Sequence, residues 1–281
     1  MSANFLKSPL RYPGGKSRAI KTLAPFFPRE ISEFREPFFG GGSVGLFLAQ
    51  TRRLKRVLAN DLNYDLFCFW QVLKTRADEL IAEISRIKNA HKNGRELYEM
   101  LLSRRGENLS EFERAVDFFV LNRITFSGVV DCGGYSQKAF ESRFTQSSIE
   151  RLRGLDGVLA DFEFSCEGYE NLLRKGGEGV FIFLDPPYFS ASKSRLYGKR
   201  GDLHAGFEHE RLRDELRGTA HHFLLTYDDS EFIRALYADF FVREFSVQYG
   251  MNNFKQNHAQ RGRELLISNR EFAKENRLFI A

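Results

Sequence analysis

A chain of 281 residues with 42% hydrophobic content is near the upper size for a single core, so one large domain with a substantial insertion is expected. No run is apolar for long enough to span a membrane, and the start "MSANFLKSPLRYPGG" lacks the apolar stretch of a secretory leader. The formal charge is +5, and three scattered cysteines (Cys68, Cys132, Cys166) fit neither a disulfide framework nor a zinc spacing. They point to a reducing cytoplasm, and the mild charge admits nucleic acid as a partner without requiring it.

In chain order, residues 16 to 26 are expected to form a short helix after "RYPGGK". "EFREPFF" (33 to 39) reads as a strand, Gly40 to Gly42 as a turn, and "SVGLFLAQT" as a helix by its apolar spacing. "RVLANDLN" (56 to 63) is a strand ending on an acid. This is one half of a doubly wound α/β sheet. Between about 65 and 150 the character changes. "DLFCFWQVLKTRADELIAEISRIKNA" and "SEFERAVDFFVLNRITF" are helical patterns with a charged stretch between them, and "SGVVDCGGYSQKAFESRF" is polar with strand-like pieces. Residues 66–150 are therefore assigned to an inserted, mainly helical lobe, and 1–65 with 151–281 to the sheet domain. The α/β alternation resumes with a strand running into a helix (161 to 175), the buried strand "VFIFL", the helix "EHERLRDELRGTA" and the strand "HFLLTYDD". A helix from about 230 and an antiparallel pair, "FFVREFSVQYG" and "RELLISN", complete the chain.

Two glycine turns invite a ligand. Gly40, Gly42 and Gly45 satisfy G-x-G-x-x-G, with Asp61 about twenty residues on. Such glycines let backbone approach a ligand while the acid accepts from ribose hydroxyls, which favours a nucleoside-containing ligand over a plain structural turn. The pattern serves NAD and S-adenosylmethionine equally. The other turn, Tyr12 to Lys16, ends as a phosphate loop would, but Leu10 stands where its first glycine is needed. Five apolar residues, Val180 to Leu184, then stop on Asp185-Pro186-Pro187-Tyr188, at the strand end where such sheets bind ligands. No histidine has metal-ligand spacing, and no metal is expected.

Taken together, "RYPGGK", "EPFFGGGS", "NDLN" and "DPPY" resemble, in kind and order, the motifs of the DNA adenine-N6 methyltransferases related to the Dam family (D12 class, alpha group). The resemblance runs from Leu10 to Asn269 and includes "FVLNRITFSG", similar to that family's DNA-contacting segment. It implies a Rossmann-like, S-adenosylmethionine-dependent methyltransferase fold with an inserted DNA-recognition lobe. The cofactor would be S-adenosyl-L-methionine, held or enclosed by Tyr12, Lys16, Phe39, Gly40, Gly42, Asp61 and Asp185. Tyr169 would pack near its adenine, although Gly168 stands where the family has an Asp. Asp185, Pro186, Pro187 and Tyr188 would be catalytic, binding the amino group and ring of an adenine flipped out of double-stranded DNA.

The same resemblance gives DNA contacts to Arg123, Phe126, Ser127 and a hairpin from Val129 to Phe144. Phe126 would fill the stack after flipping, and Arg123 would meet a phosphate or a guanine edge. Asp131 replaces the Arg of GATC-reading relatives. An acid there accepts from a cytosine amino group instead, which argues against GATC. Lys255, Arg261 and Arg263 sit in a late polar loop, either solvated or on backbone phosphates. A cognate restriction endonuclease is a candidate partner. Three rivals are weighed. Amino-cytosine N4 methyltransferases often carry Ser in place of the tetrad's Asp. A dehydrogenase gives the tetrad no role. A non-catalytic DNA-binding relative is expected to lose the tetrad or Lys16.

Overall fold

The computed structural model describes residues 5–190, 206–248 and 261–272. Seven strands form one sheet: β1 (Glu33–Glu36), β2 (Arg56–Asn60), β3 (Phe162–Ser165), β4 (Val180–Leu184), β5 (His222–Asp228), β6 (Phe241–Gln248) and β7 (Arg261–Ser268). Their order is β3-β2-β1-β4-β5-β7-β6. The first five in chain order pair in parallel, and β7 runs antiparallel between β5 and β6. The chain winds outward from β1 to β3, then restarts at β4 on the other side of β1. That reversal opens a crevice at the carboxyl ends of β1 and β4.

The all-apolar β4 is explained by burial on both faces. Its alternate side chains enter different cores: Phe181 and Phe183 on one side of the sheet, Val180, Ile182 and Leu184 on the other. The expected helix at 16 to 26 is broken into a 3-10 turn, the short α1 (Ile20–Leu23) and a second 3-10 turn that holds Pro25. Helix α2 (Ser43–Thr51) joins β1 to β2 as expected.

Seven helices lie between β2 and β3: α3 (Tyr64–Thr75), α4 (Ala77–Ala90), α5 (Gly94–Ser103), α6 (Glu111–Ile124), α7 (Gln137–Arg143), α8 (Gln146–Glu150) and α9 (Leu155–Val158). Helix α5 falls in the stretch read only as charged. Its buried Leu97 and Leu101 and its Asn93 cap are the signals, too sparse to stand out among Arg and Glu. The hairpin expected from Val129 to Phe144 does not form. Thr125 and Tyr135 make a single bridge, and the Ser136 hydroxyl then accepts from the Ala139 N–H and starts α7. Phe69 of α3 packs on Phe118 and Phe119 of α6 at 6.0 and 5.9 Å. One apolar cluster runs from these helices to Phe34 and Phe183 of the sheet. Helices α10 (Glu170–Arg174), α11 (His209–Gly218) and α12 (Glu231–Leu236) complete the fold. Among the described residues no helix is long and apolar enough to cross a membrane.

Candidate active site

Strand β1 ends on Glu36, and Pro37 to Gly42 turn the chain into α2. Gly40 and Gly42 have φ of 48° and 66°, a region open to glycine and costly for other residues. A Cβ on Gly40 would lie 2.7 Å from the Tyr12 ring, and one on Gly42 2.6 Å from the Phe39 ring. A Cβ on Gly45 would lie 2.8 Å from Glu36 Oε2. The glycines thus make room first for this chain's own side chains, whereas the sequence reading gave that room to a ligand. Glu36 accepts the Gly45 N–H at 2.9 Å, and burial pushes its carboxyl well above the usual range. Asp61 accepts the Gly40 N–H at 2.8 Å and the Asn63 N–H at 3.0 Å, with its pKa raised by burial. It therefore ties the glycine turn to the end of β2, and each oxygen keeps a lone pair for a hydroxyl.

Across the crevice, β4 delivers Asp185. Lys16 Nζ donates to both of its oxygens, at 2.6 and 2.7 Å, and to Gly14 O at 3.1 Å. The Thr226 hydroxyl of β5 donates to Asp185 Oδ1 at 2.7 Å. Two residues further along β5, Asp228 accepts the backbone N–H of Phe189 at 2.9 Å and of Ser190 at 3.1 Å. The turn that begins at Asp185 is so fixed at both ends. The Tyr188 ring centroid lies 5.0 Å from Lys16 Nζ, and Tyr188 packs on Tyr227 at 5.9 Å.

A cavity of about 520 Å³ joins these parts. It brings together Tyr12, Lys16, Phe39, Gly40, Gly42, Asp61, Tyr169, Asp185, Pro186, Pro187 and Tyr188. Four further lining residues escaped the sequence reading. Phe38 and Phe207 form an aromatic wall with Tyr169, with centroids 5.3 to 5.9 Å apart. Glu36 and Glu264 add carboxylates that are 3% and 1% exposed. Glu36 sits inside "EPFFGGGS" and so carried a signal, whereas the place of Glu264, at the head of the apolar "LLI", depends on how β7 pairs. Phe207, a lone aromatic in a polar stretch, carried none.

The residues expected to meet DNA are not all presented. Phe126 is: it is 70% exposed, and the next residue, Ser127, is the one non-glycine with positive φ among the described residues, 56°. The Phe126 N–H donates to Gly134 O at 2.9 Å, which holds the turn. Arg123 is not. It is 3% exposed with its guanidinium 5.0 Å from the Phe119 ring centroid, and burial, together with Arg151, Arg11 and Arg143, pulls it down to about 9. The last turn of α6 faces the packed lobe, so a phosphate or base contact is out of its reach as it stands. Asp131 is tied down within the lobe as well. The Arg105 guanidinium donates to it at 2.6 Å and to Asp65 at 3.1 Å, so its carboxylate is engaged within the lobe and not an open acceptor. Arg263 is exposed on β7. Arg261 opens that strand opposite Gln248, and Lys255 lies outside the described residues.

Residues 12–268 match the family described as D12 class N6 adenine-specific DNA methyltransferase. The chain belongs to that family. A Type II methyltransferase, M1.LlaDCHI, of Lactococcus lactis subsp. cremoris is 25% identical over 92% of this chain and 94% of its own. The Type II methyltransferase M.MjaIII of Methanocaldococcus jannaschii is 25% identical over 67% and 71%. The DNA adenine methylase of Escherichia coli K12 is 25% identical over 64% of each chain. This D12-class chain is thus an adenine-specific DNA methyltransferase, and the cavity that ends on Asp185 is its candidate active site.

For this methyltransferase, the Asp228 clamp yields an expected result. Asp228→Ala frees the backbone after Tyr188 and loosens the turn by an ångström or so, enough to cost roughly 100-fold in methyl transfer. Cofactor affinity, measured by titration calorimetry, is expected to stay within a few-fold. Unchanged transfer would show that the turn holds itself.

Proposed function

We propose that this enzyme moves a methyl group from S-adenosylmethionine to N6 of an adenine flipped out of duplex DNA. The observation that carries this reading is the Asp185 carboxylate, set at the end of β4 in the same cavity as the glycine turn. The cavity fits the cofactor. Its volume of about 520 Å³ is that of a small-molecule site. The wall of Phe38, Tyr169 and Phe207 suits a purine, the spare lone pairs of Asp61 suit hydroxyls, and the buried carboxylates suit a positive charge.

When bound, S-adenosylmethionine supplies a methyl group made electrophilic by a positively charged sulfur. The chain's residues act on the amino group. Its nitrogen lone pair is delocalised into the adenine ring and is a poor nucleophile. Asp185 and the Pro186 carbonyl each accept one N–H, which draws the nitrogen towards a tetrahedral shape and returns the lone pair to it. Pro186 and Pro187 fix their own φ, and Pro186 keeps Asp185 out of the helical region, so the acceptors are set before the base arrives. Tyr188 gives the base a face to stack on. The surplus proton leaves through the Asp185 carboxylate. Catalysis is then positioning and electrostatics.

Residues 66–150 form the target-recognition lobe, with exposed Phe126 occupying the gap left in the stack. Arg261 and Arg263, together with Lys255, contact backbone phosphates, and those contacts weaken with salt. The Type II names of two relatives support a cognate restriction endonuclease as partner, and work on DNA supports the cytoplasm as the location. The test is to express the protein in a methylation-free host and sequence its DNA by a method that resolves modified bases. One motif carrying N6-methyladenine is expected. N4-methylcytosine, or no modified base, would overturn the reading.

A further inference from the structure

Both oxygens of Asp185 already hold the Lys16 ammonium, at 2.6 and 2.7 Å, and one also holds the Thr226 hydroxyl. An incoming adenine amino group is a neutral donor and competes poorly with a full positive charge for the same acceptors. Lys16 is 6% exposed, so it cannot simply retreat into water, and a buried charge left without a partner is costly. Another carboxylate must receive it.

The surrounding acids narrow the choice. Glu36 of β1 accepts the Gly45 N–H, Asp61 after β2 accepts those of Gly40 and Asn63, and Asp228 of β5 accepts those of Phe189 and Ser190. None of the three lies within ion-pair distance of Lys16 Nζ. Glu264 of β7 lies nearest after Asp185: its Oε2 is 4.0 Å from Lys16 Nζ, and the residue is 1% exposed on the same cavity. Among the described residues it and Asp185 are the two carboxylates within ion-pair distance of Lys16. The strand pairs on both sides, with Asp228 on β5 and Phe245 on β6, so its backbone is fixed. A shift of about 1 Å by the ammonium makes a full charge-assisted hydrogen bond, and the flexible four-carbon stem of lysine allows it.

We propose that Glu264 is a positioning residue: it takes the Lys16 ammonium from Asp185 as the target amino group enters. In the state described here Lys16 masks the acceptors of the Asp-Pro-Pro-Tyr turn. With Lys16 drawn to Glu264, one Asp185 oxygen is released to the N–H, and the Gly14 carbonyl remains the pivot of the lysine. This rests on the reading of Asp185 given above.

Steady-state kinetics with S-adenosylmethionine and duplex DNA test it, using the full chain and the variants Glu264→Gln, Glu264→Asp, Lys16→Gln and the Lys16→Gln/Glu264→Gln pair. Glu264→Gln is expected to lower kcat roughly 100-fold with KM for DNA and the cofactor Kd within about twofold, and Glu264→Asp to recover part of that loss. The double variant is expected to be no slower than Lys16→Gln alone, because both act through one ammonium. An unchanged kcat, additive losses, or a loss of cofactor affinity matching the loss of kcat would overturn the proposal. If the wild-type chain methylates adenine and Glu264→Gln is normal, this inference alone fails. If the wild-type chain transfers no methyl group to adenine, the functional reading fails and takes this inference with it.

Discussion

Asp185→Ala is expected to lower methyl transfer by roughly a thousandfold, the size of effect seen when a preorganised hydrogen-bonding group at a reacting centre is removed. The variant loses the acceptor proposed for the target N–H and strips Lys16 and Thr226 of their shared partner. A buried lysine without its acid also costs stability, so Asp185→Asn is the cleaner companion. It keeps the shape and one acceptor oxygen but lacks the negative charge, and a comparable loss of rate is expected. Both are to be measured by single-turnover transfer, with DNA binding followed by gel shift. Binding is expected to persist, since the exposed lobe residues proposed to meet DNA lie elsewhere. Transfer within tenfold of wild type would remove Asp185 from the chemistry.

Arg35→Met should have the largest effect on stability. Arg35 is 0% exposed in the centre of β1, an unusual place for a cation. Its guanidinium donates to Leu172 O at 2.7 Å, Lys175 O at 2.6 Å and Gly176 O at 2.9 Å, and to Glu33 Oε1 at 2.6 Å. These carbonyls close α10 and lead into β4, so one side chain holds the segment that sets where β4 begins and, five residues on, where Asp185 stands. Methionine fills the space but removes the guanidinium from all three carbonyls, of which Lys175 O keeps His221 Nε2 at 2.9 Å, and takes from Glu33 its buried partner, at a cost of about 3–5 kcal/mol. Urea unfolding should show the midpoint falling with little change of slope. A midpoint within experimental error of wild type would mean that water replaces the guanidinium.

What the sequence disclosed and what it hid divide along the range of the interactions involved. The sheet strands were legible because each is a local pattern: "VFIFL" is apolar throughout since β4 is buried on both faces, and "RVLAN" runs directly into Asp61. The tetrad and the glycine turn were legible for the same reason, being contiguous. Glu264 was hidden because its place beside Lys16 depends on β7 inserting between β5 and β6, a pairing that no local spacing encodes. Arg123 was misplaced because its burial follows from the packing of α6 on α3 and α7, while its motif suggests a surface. Asp131 was read as open because the partner that engages it, Arg105, comes from a 3-10 turn after α5, a helix itself too weakly patterned to be seen. The glycines were found, but their neighbours, Tyr12 and Phe39, come from side chains folded back onto the turn.

The central claim is that the methyl group goes from S-adenosylmethionine to the amino group of adenine. It is tested most directly by incubating the protein with methyl-labelled S-adenosylmethionine and duplex DNA, digesting the DNA to nucleosides and locating the label by chromatography. All the label is expected in N6-methyldeoxyadenosine. Label in a methylated cytidine, or DNA that stays unlabelled, would contradict the account.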